Sequence, residues 1–182
     1  MNKALIVVDY SNDFIATNGK LTCGEPGQQI EQNIINKVET YNNNQDFIFY
    51  LMDYHLENDP YHPETKLFPP HNIVNTEGRQ LYNQLQPQYE SIQNAEHVFW
   101  IDKTRYSSFA GTHLDSLLRE RNVDTVEIVG VCTDICVLHT AVDAYNLNYN
   151  IIIPSNCVAS FNQAGHEWAL THFKNSIGAV VE

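Results

Sequence analysis

The residues of this chain that could do chemistry are Cys136, Asp9, Lys103 and a group of carboxylates and imidazoles that begins at Asp53. Cys136 follows Gly130-Val131-Cys132-Thr133-Asp134-Ile135, where an apolar run breaks into residues able to cap a helix, with Thr133 or Asp134 as the expected cap. A thiol near a helix start is favoured as thiolate, and the free N–H groups there can hold a developing oxyanion. That is the chemistry of a nucleophile; the alternative is a small buried hydrophobe. Asp9 closes the apolar run Ala4-Leu5-Ile6-Val7-Val8, where its carboxylate could take a thiol proton or simply brace a loop. Lys103 follows Trp100-Ile101-Asp102; beside a thiol it would favour thiolate and hold an acid in place, and elsewhere it would be a solvated cation.

Asp53-x-His55, with His71 beyond a Pro-rich stretch, has the composition of a metal site. Residues i and i+2 at a strand end face the same side, and Pro69-Pro70 stiffens the approach to His71. Carboxylate with imidazole suits zinc, iron or manganese and not calcium. Glu57, Asp59, His62 and Glu64 could each complete the shell, and the competing reading is a set of ordinary loop polar residues. Cys132 and Cys136 form a C-x3-C pair that lacks a second pair of suitable spacing, while Cys23 and Cys157 read as structural. His166-Glu167 is not a zinc helix because position 170 is Leu, and no glycine-rich phosphate loop follows any apolar run.

Elements must bring these distant residues together. Short, continuously apolar runs at Lys3–Asp9, Asp46–Met52, Glu96–Ile101, Thr125–Val131, Asn150–Ile153 and Ala179–Val181 suit strands buried on both faces. Helical faces lie between them: Ile30, Ile34, Ile35, Val38 and Tyr41; Leu114, Leu117 and Leu118; Ile135, Leu138, Val142 and Tyr145; Trp168, Ala169 and Phe173. Repeated β-α units predict a parallel sheet covered by helices, with ligands bound beyond the carboxyl ends of the strands. Asp9, Phe14, Asp53, His55, Lys103, Tyr106 and Cys136 all follow predicted strands and so gather at one rim. The stretch from Asp53 to His71 has no clean periodicity, and so long a loop in a compact domain is usually functional.

Composition sets the outer bounds. The chain has 182 residues, 43% of them hydrophobic, which suits one globular domain spanning 1–182. A formal charge of -12 argues against nucleic acid or an anionic membrane as partner. The first apolar run is too short for a signal peptide or a span of roughly 20 residues, so a cytoplasmic protein is expected. Four cysteines make no disulfide framework.

Taken in order, Val7-Val8-Asp9-Tyr10-x-x-Asp13-Phe14, Asp53-x-His55, Phe68-Pro69-Pro70-His71, Lys103-Thr104-Arg105-Tyr106-Ser107-Ser108-Phe109 and Gly130 to Val137 are a specific set. With them the chain resembles the isochorismatase-like cysteine hydrolases, and within these the nicotinamidases (also pyrazinamidases), over essentially its whole length. The resemblance implies a three-layer, Rossmann-like α/β fold with a six-stranded parallel sheet. It implies a triad of Asp9, Lys103 and Cys136, and one divalent transition metal, zinc ahead of iron or manganese, on Asp53, His55 and His71. A loop His or Glu completes the shell in such proteins, and Glu64 is preferred here over His62. The same resemblance implies a cis peptide at Val131–Cys132, an oxyanion hole from the N–H groups of Cys132 and Cys136, and a ring clamp of Phe14, Phe68 and Tyr106. The implied activity is hydrolysis of nicotinamide, and of pyrazinamide, through a Cys136 thioester, with a role in NAD salvage; homo-oligomers are common in the family. Isochorismatases lack the Cys, carbamoylsarcosine-type amidases lack the metal set, and a non-catalytic relative would have lost a triad residue.

Overall fold

Strand residues in the computed structural model, which describes residues 2–182, alternate between two buried layers. The elements run β1 (Asn2–Val8), α1 (Asn12–Ile15), α2 (Glu25–Gln29), α3 (Glu31–Asn44), β2 (Phe47–Asp53), α4 (Leu85–Ile92), β3 (Val98–Lys103) and α5 (Leu114–Glu120). They continue with β4 (Val123–Val131), α6 (Cys136–Asn146), β5 (Asn150–Ile153), β6 (Val158–Ala159), α7 (Gln163–Ser176) and β7 (Val180–Val181). All pairings are parallel, in the order β3-β2-β1-β4-β5-β7, with the two-residue β6 added to the end of β4. β6 is the one strand the sequence pattern does not announce, being too short to show a period.

Ala4, Ile6 and Val8 of β1 bury one way, with Leu114, Leu118, Val137, Ala141 and Phe173. Leu5 and Val7 bury the other way, with Ile34, Val38 and Tyr41. Burying a Val, Leu or Ile side chain is worth about 1.5–3 kcal/mol, so β1, covered on both faces like β2 and β4, is firmly secured. Chain order runs outward in both directions from the β1–β4 pair, which makes that pair the switch point where an open α/β sheet leaves a crevice.

Two helical faces differ from the pattern. In α6 the sheet side is Val137, Thr140, Ala141 and Ala144, while Leu138 and Val142 are half-buried and Tyr145 is exposed. Small residues let the helix approach the sheet closely, and the larger stripe is left outward. In α7, Ala169 and Phe173 are buried as expected but Trp168 is exposed.

Candidate active site

Asp9 is the first residue beyond β1, in the left-handed region with φ 55. A non-glycine residue held there costs of order 1–3 kcal/mol and persists because its surroundings fix it. Here Asp9 Oδ1 accepts the main-chain N–H of Asp53 (2.8 Å), and the Asp9 N–H donates to Leu51 O (3.1 Å). The neighbouring Gly130 has φ 117, and a Cβ there would lie 2.0 Å from Val8 O, so no other residue lets β4 pass this close to β1 at the rim.

Lys103, the last residue of β3, reaches across β2 beneath the same rim. Its Nζ is 2.6 Å from Asp9 Oδ2, 3.5 Å from Asp53 Oδ1, 3.1 Å from the Arg105 carbonyl and 3.8 Å from Cys136 Sγ. Burial alone would lower the lysine pKa, but the Asp9 carboxylate, with Cys136 and Asp53, outweighs it and holds Lys103 well above its ordinary range. Burial likewise pushes the Asp9 carboxyl up to about 6 against the pull of Lys103, close to where a general base is most useful.

Cys136 is the first residue of α6, buried and within side-chain hydrogen-bonding reach of Asp9. Helix start and lysine are expected to favour thiolate, yet burial outweighs Lys103 and the thiol is pushed well above its usual range. The group is therefore held as a thiol, with the Asp9 carboxyl beside it. The expected caps also differ: Ile135 is the N-cap, without a side-chain cap bond. Thr133 instead pairs with His166 Nδ1 (2.8 Å), and Asp134 Oδ1 accepts the Ser160 hydroxyl (2.6 Å), so both brace the loop against the start of α7. The Val131–Cys132 peptide is cis. The Cys132 carbonyl accepts N–H groups of Ile135 (3.0 Å) and Val137 (3.2 Å), a tight turn that brings the Cys132 and Cys136 main chains together.

Among the described residues, one group of four could hold a metal ion: Asp53, His55, Glu64 and His71, all buried, with ligand atoms within 4.8 Å of one another. Asp53 Oδ2 is 3.1 Å from His55 Nε2 and 3.6 Å from His71 Nε2, while Glu64 Oε2 is 3.4 Å from His71 Nε2. The Pro69 carbonyl can only accept, so His71 Nδ1 donates to it (2.8 Å), which leaves Nε2 as the ring nitrogen that faces the carboxylates. Both His55 Nε2 and His71 Nε2 are buried without a hydrogen-bond partner. Burial would lower His71, but the carboxylates of Asp53 and Glu64 raise it to about 10. Two carboxylates and two imidazole nitrogens converging on one buried point make a donor set that fits a divalent transition metal.

His62 does not join them. Its Nε2 donates to Thr104 O (2.8 Å) and its Nδ1 accepts the Glu64 N–H (3.3 Å), so both nitrogens are used: one caps the short 3₁₀ turn Pro63–Lys66 that presents Glu64, and the other ties that turn to the chain after β3. Glu57 is exposed and Asp59 binds the Tyr61 N–H (2.9 Å). Cys132 and Cys136 are free thiols, and Cys23 lies buried with its thiol against Cys132. Asp53 belongs to both halves of the site, with Oδ1 toward Lys103 and Oδ2 toward the imidazoles. Burial would raise it, but Lys103 and the two histidines hold it well below the carboxylate range.

A cavity of about 370 Å³ opens onto Cys136 and Asp53, and Phe14, Phe68 and Tyr106 all line it with Cys132 and Glu64. Leu21, Ile135 and Phe161 line it too and escape sequence reasoning; Phe161, 63% exposed, follows the short β6 with no periodic context. Arg79 is a further omission. Its Nε donates to Asp53 O (2.8 Å) and its guanidinium pairs with Asp102, tying the ends of β2 and β3 together.

No helix of the described residues is long and apolar enough to cross a membrane. Residues 3–182 match the Isochorismatase domain family. Bacillus subtilis PncA, under the name of an uncharacterized isochorismatase family protein, is 56% identical over 181 residues, covering 100% of this chain and 99% of its own. A crystal structure of that PncA, named a nicotinamidase/pyrazinamidase, has a TM-score of 0.99 over 100% of this chain and 99% of that one. The pyrazinamidase/nicotinamidase of Streptococcus mutans UA159 is 52% identical with TM-score 0.97, each chain covered in full (100%). A pyrazinamidase of Pyrococcus horikoshii, solved in complex with zinc, is 28% identical with TM-score 0.87, over 100% of this chain and 99% of that one. The family match and the likeness in sequence and structure agree, and this chain belongs to the isochorismatase family.

Proposed function

We propose that this chain, acting as one domain over residues 1–182, is a nicotinamidase that hydrolyses nicotinamide to nicotinic acid and ammonia. The observation that carries the reading is the shared carboxylate of Asp53: it joins a buried acid–lysine–thiol set to a metal-ligand set, and both face one aromatic-lined cavity. The likeness to proteins named nicotinamidase at 52% and 57% identity supports it.

In this mechanism Asp9 accepts the Sγ proton as Cys136 attacks the carboxamide carbon, and a C–S bond forms. The oxyanion is held by the N–H groups of Cys132 and Cys136, a contribution worth about 10²–10³-fold per donor. The C–N bond then breaks, and ammonia leaves with the proton from Asp9. Water, deprotonated by Asp9, attacks the thioester; the C–S bond breaks and Cys136 regains a proton. Lys103 balances the negative charge that moves between Asp9 and Cys136. Phe14, Phe68 and Tyr106 stack on the flat ring. A divalent metal held by Asp53, His55, Glu64 and His71, zinc first among candidates, would supply a Lewis-acid seat for the ring nitrogen and so orient the substrate. The product acid would feed NAD salvage in the cytoplasm.

The test is ammonia release from nicotinamide by the purified protein, with and without a chelator. Nicotinamide and pyrazinamide are expected to turn over, and benzamide, which has no ring nitrogen, to fall short in kcat/KM by orders of magnitude. Benzamide equal to nicotinamide would remove the orienting role of the metal. Carbamoylsarcosine preferred over all three would remove the nicotinamidase reading itself.

A further inference from the structure

Asp13 takes no part in the chemistry above, yet its side chain is only 8% exposed and sits between three loops of the site. Its partners are main-chain donors. Oδ2 accepts the N–H of Asn72 (2.8 Å), Oδ1 accepts the N–H of Lys20 (3.3 Å), and its own carbonyl accepts the N–H of Leu21 (3.1 Å). Asn72 directly follows His71 and has φ 45. Lys20, Leu21 and Thr22 form one wall of the cavity, and Phe14, the next residue, lines that cavity with its ring centroid 5.5 Å from that of His71. Two glycines are pressed onto the same residue: a Cβ at Gly78 would lie 2.2 Å from Asp13 Oδ2, and one at Gly19 would lie 2.4 Å from the Asp13 carbonyl oxygen.

We infer that Asp13 is a positioning residue, whose two carboxylate oxygens hold the main chain after His71 and the cavity wall at residues 20–22 in fixed relation to each other. The inference rests on the reading of His71 as a metal ligand and of the cavity as the substrate site. A carboxylate is required rather than a polar group of that shape. Both side-chain partners are N–H donors, and an asparagine amide satisfies one of them while turning its own N–H₂ toward the other. Outer groups that orient ligands commonly account for 10–100-fold in metal affinity.

Two variants reach the same hydrogen bonds from opposite sides. Asp13→Asn removes one acceptor, and Gly78→Ala leaves Asp13 in place but drives a methyl into its carboxylate; circular dichroism and thermal melting check that each is folded. Zinc affinity is measured by competition against a chromophoric chelator, and kcat and KM for nicotinamide are measured at saturating zinc. Both variants are expected to bind zinc at least about tenfold more weakly, and to raise KM more than they lower kcat, because the wall at residues 20–22 shifts while Asp9, Lys103 and Cys136 stay in register. A folded variant of either kind with zinc affinity and KM within twofold of the parent overturns the inference, and if one variant does not fold the other decides. A parent protein inert toward nicotinamide, with zinc binding weakened in both variants, overturns the nicotinamidase reading and supports the role of Asp13.

Discussion

The two halves of the rim are built by different means. Asp9, Lys103 and Cys136 each stand within one residue of a strand end or at the first turn of a helix, and the sheet's register places them. Glu64 and His71 stand on a loop with no strand of its own, and local bonds place them: the His62 cap, the His71–Pro69 contact and the Asp13–Asn72 contact. That loop also leaves Tyr61 (90% exposed), Leu67 and Phe68 in solvent. A reacting group tolerates little displacement, and rigid elements hold it more tightly than turns do. Ligands converging on an ion are drawn together by the ion itself, so a loop suffices. Substitutions in the sheet-borne half should therefore strike turnover, and those in the loop-borne half should strike metal binding.

The largest effect is expected from Cys136→Ala. It should lower kcat by at least about 10⁴-fold with the melting temperature unchanged, since it removes the nucleophile from a residue unit that acts together. One equivalent of iodoacetamide should label Cys136 first; inactivation by labelling Cys23 or Cys157 would contradict the assignment. Lys103→Met comes next. It strands the Asp9 and Asp53 carboxylates, both buried, without their shared cation, and breaking such a pair costs about 3–5 kcal/mol. Urea unfolding should show that loss alongside the loss of activity.

His71→Ala tests the other half. Metal and activity should leave together while urea stability falls less than in Lys103→Met; equal losses of stability would erase the distinction between the halves. The pH profile gives a smaller, graded effect. In the proposed mechanism Asp9 works as the carboxylate, and its pKa is raised to about 6, so that form is lost as pH falls through 6. Below that point kcat/KM should drop about tenfold per pH unit. An acid limb centred near the ordinary carboxylate value, 3.8, would mean that burial does not act on the base. The smallest effect belongs to His62→Ala, which should cost about 1 kcal/mol as a lost cap and leave zinc affinity near that of the parent. Glu64→Ala should do the reverse, and the opposite pattern would make His62 the ligand.

Much of this site is legible in the chain because strand ends are legible: Asp9 and Lys103 stand at the ends of β1 and β3, Cys136 opens the helix that follows β4, and the sheet does the rest. What is not legible follows from packing. Both His62 and Glu64 carry ligand atoms, and only the 3₁₀ turn shows that both nitrogens of His62 are already used. The thiol of Cys136 looks activated by its helix and lysine, and only the depth of its burial reverses that. In α6 the large residues mark a face, but the small ones at 137, 141 and 144 are what the sheet accepts. Phe161 and Arg79 sit outside any periodic segment, so the sequence carries no signal that the first lines the cavity or that the second ties β2 to β3.

β1 lies at the centre of the sheet with Ala4 to Val8 buried on both faces, and Asp9 is attached directly to its end. Amide hydrogens of such a strand exchange with solvent only when the whole molecule opens, whereas those of a surface loop exchange through local excursions. Asp9, the proposed base, thus hangs from a strand expected to exchange slowly, and Glu64 from a loop expected to exchange sooner. On gentle heating the molecule would part with its metal seat well before its base moved, and cooling with the ion restored would bring activity back.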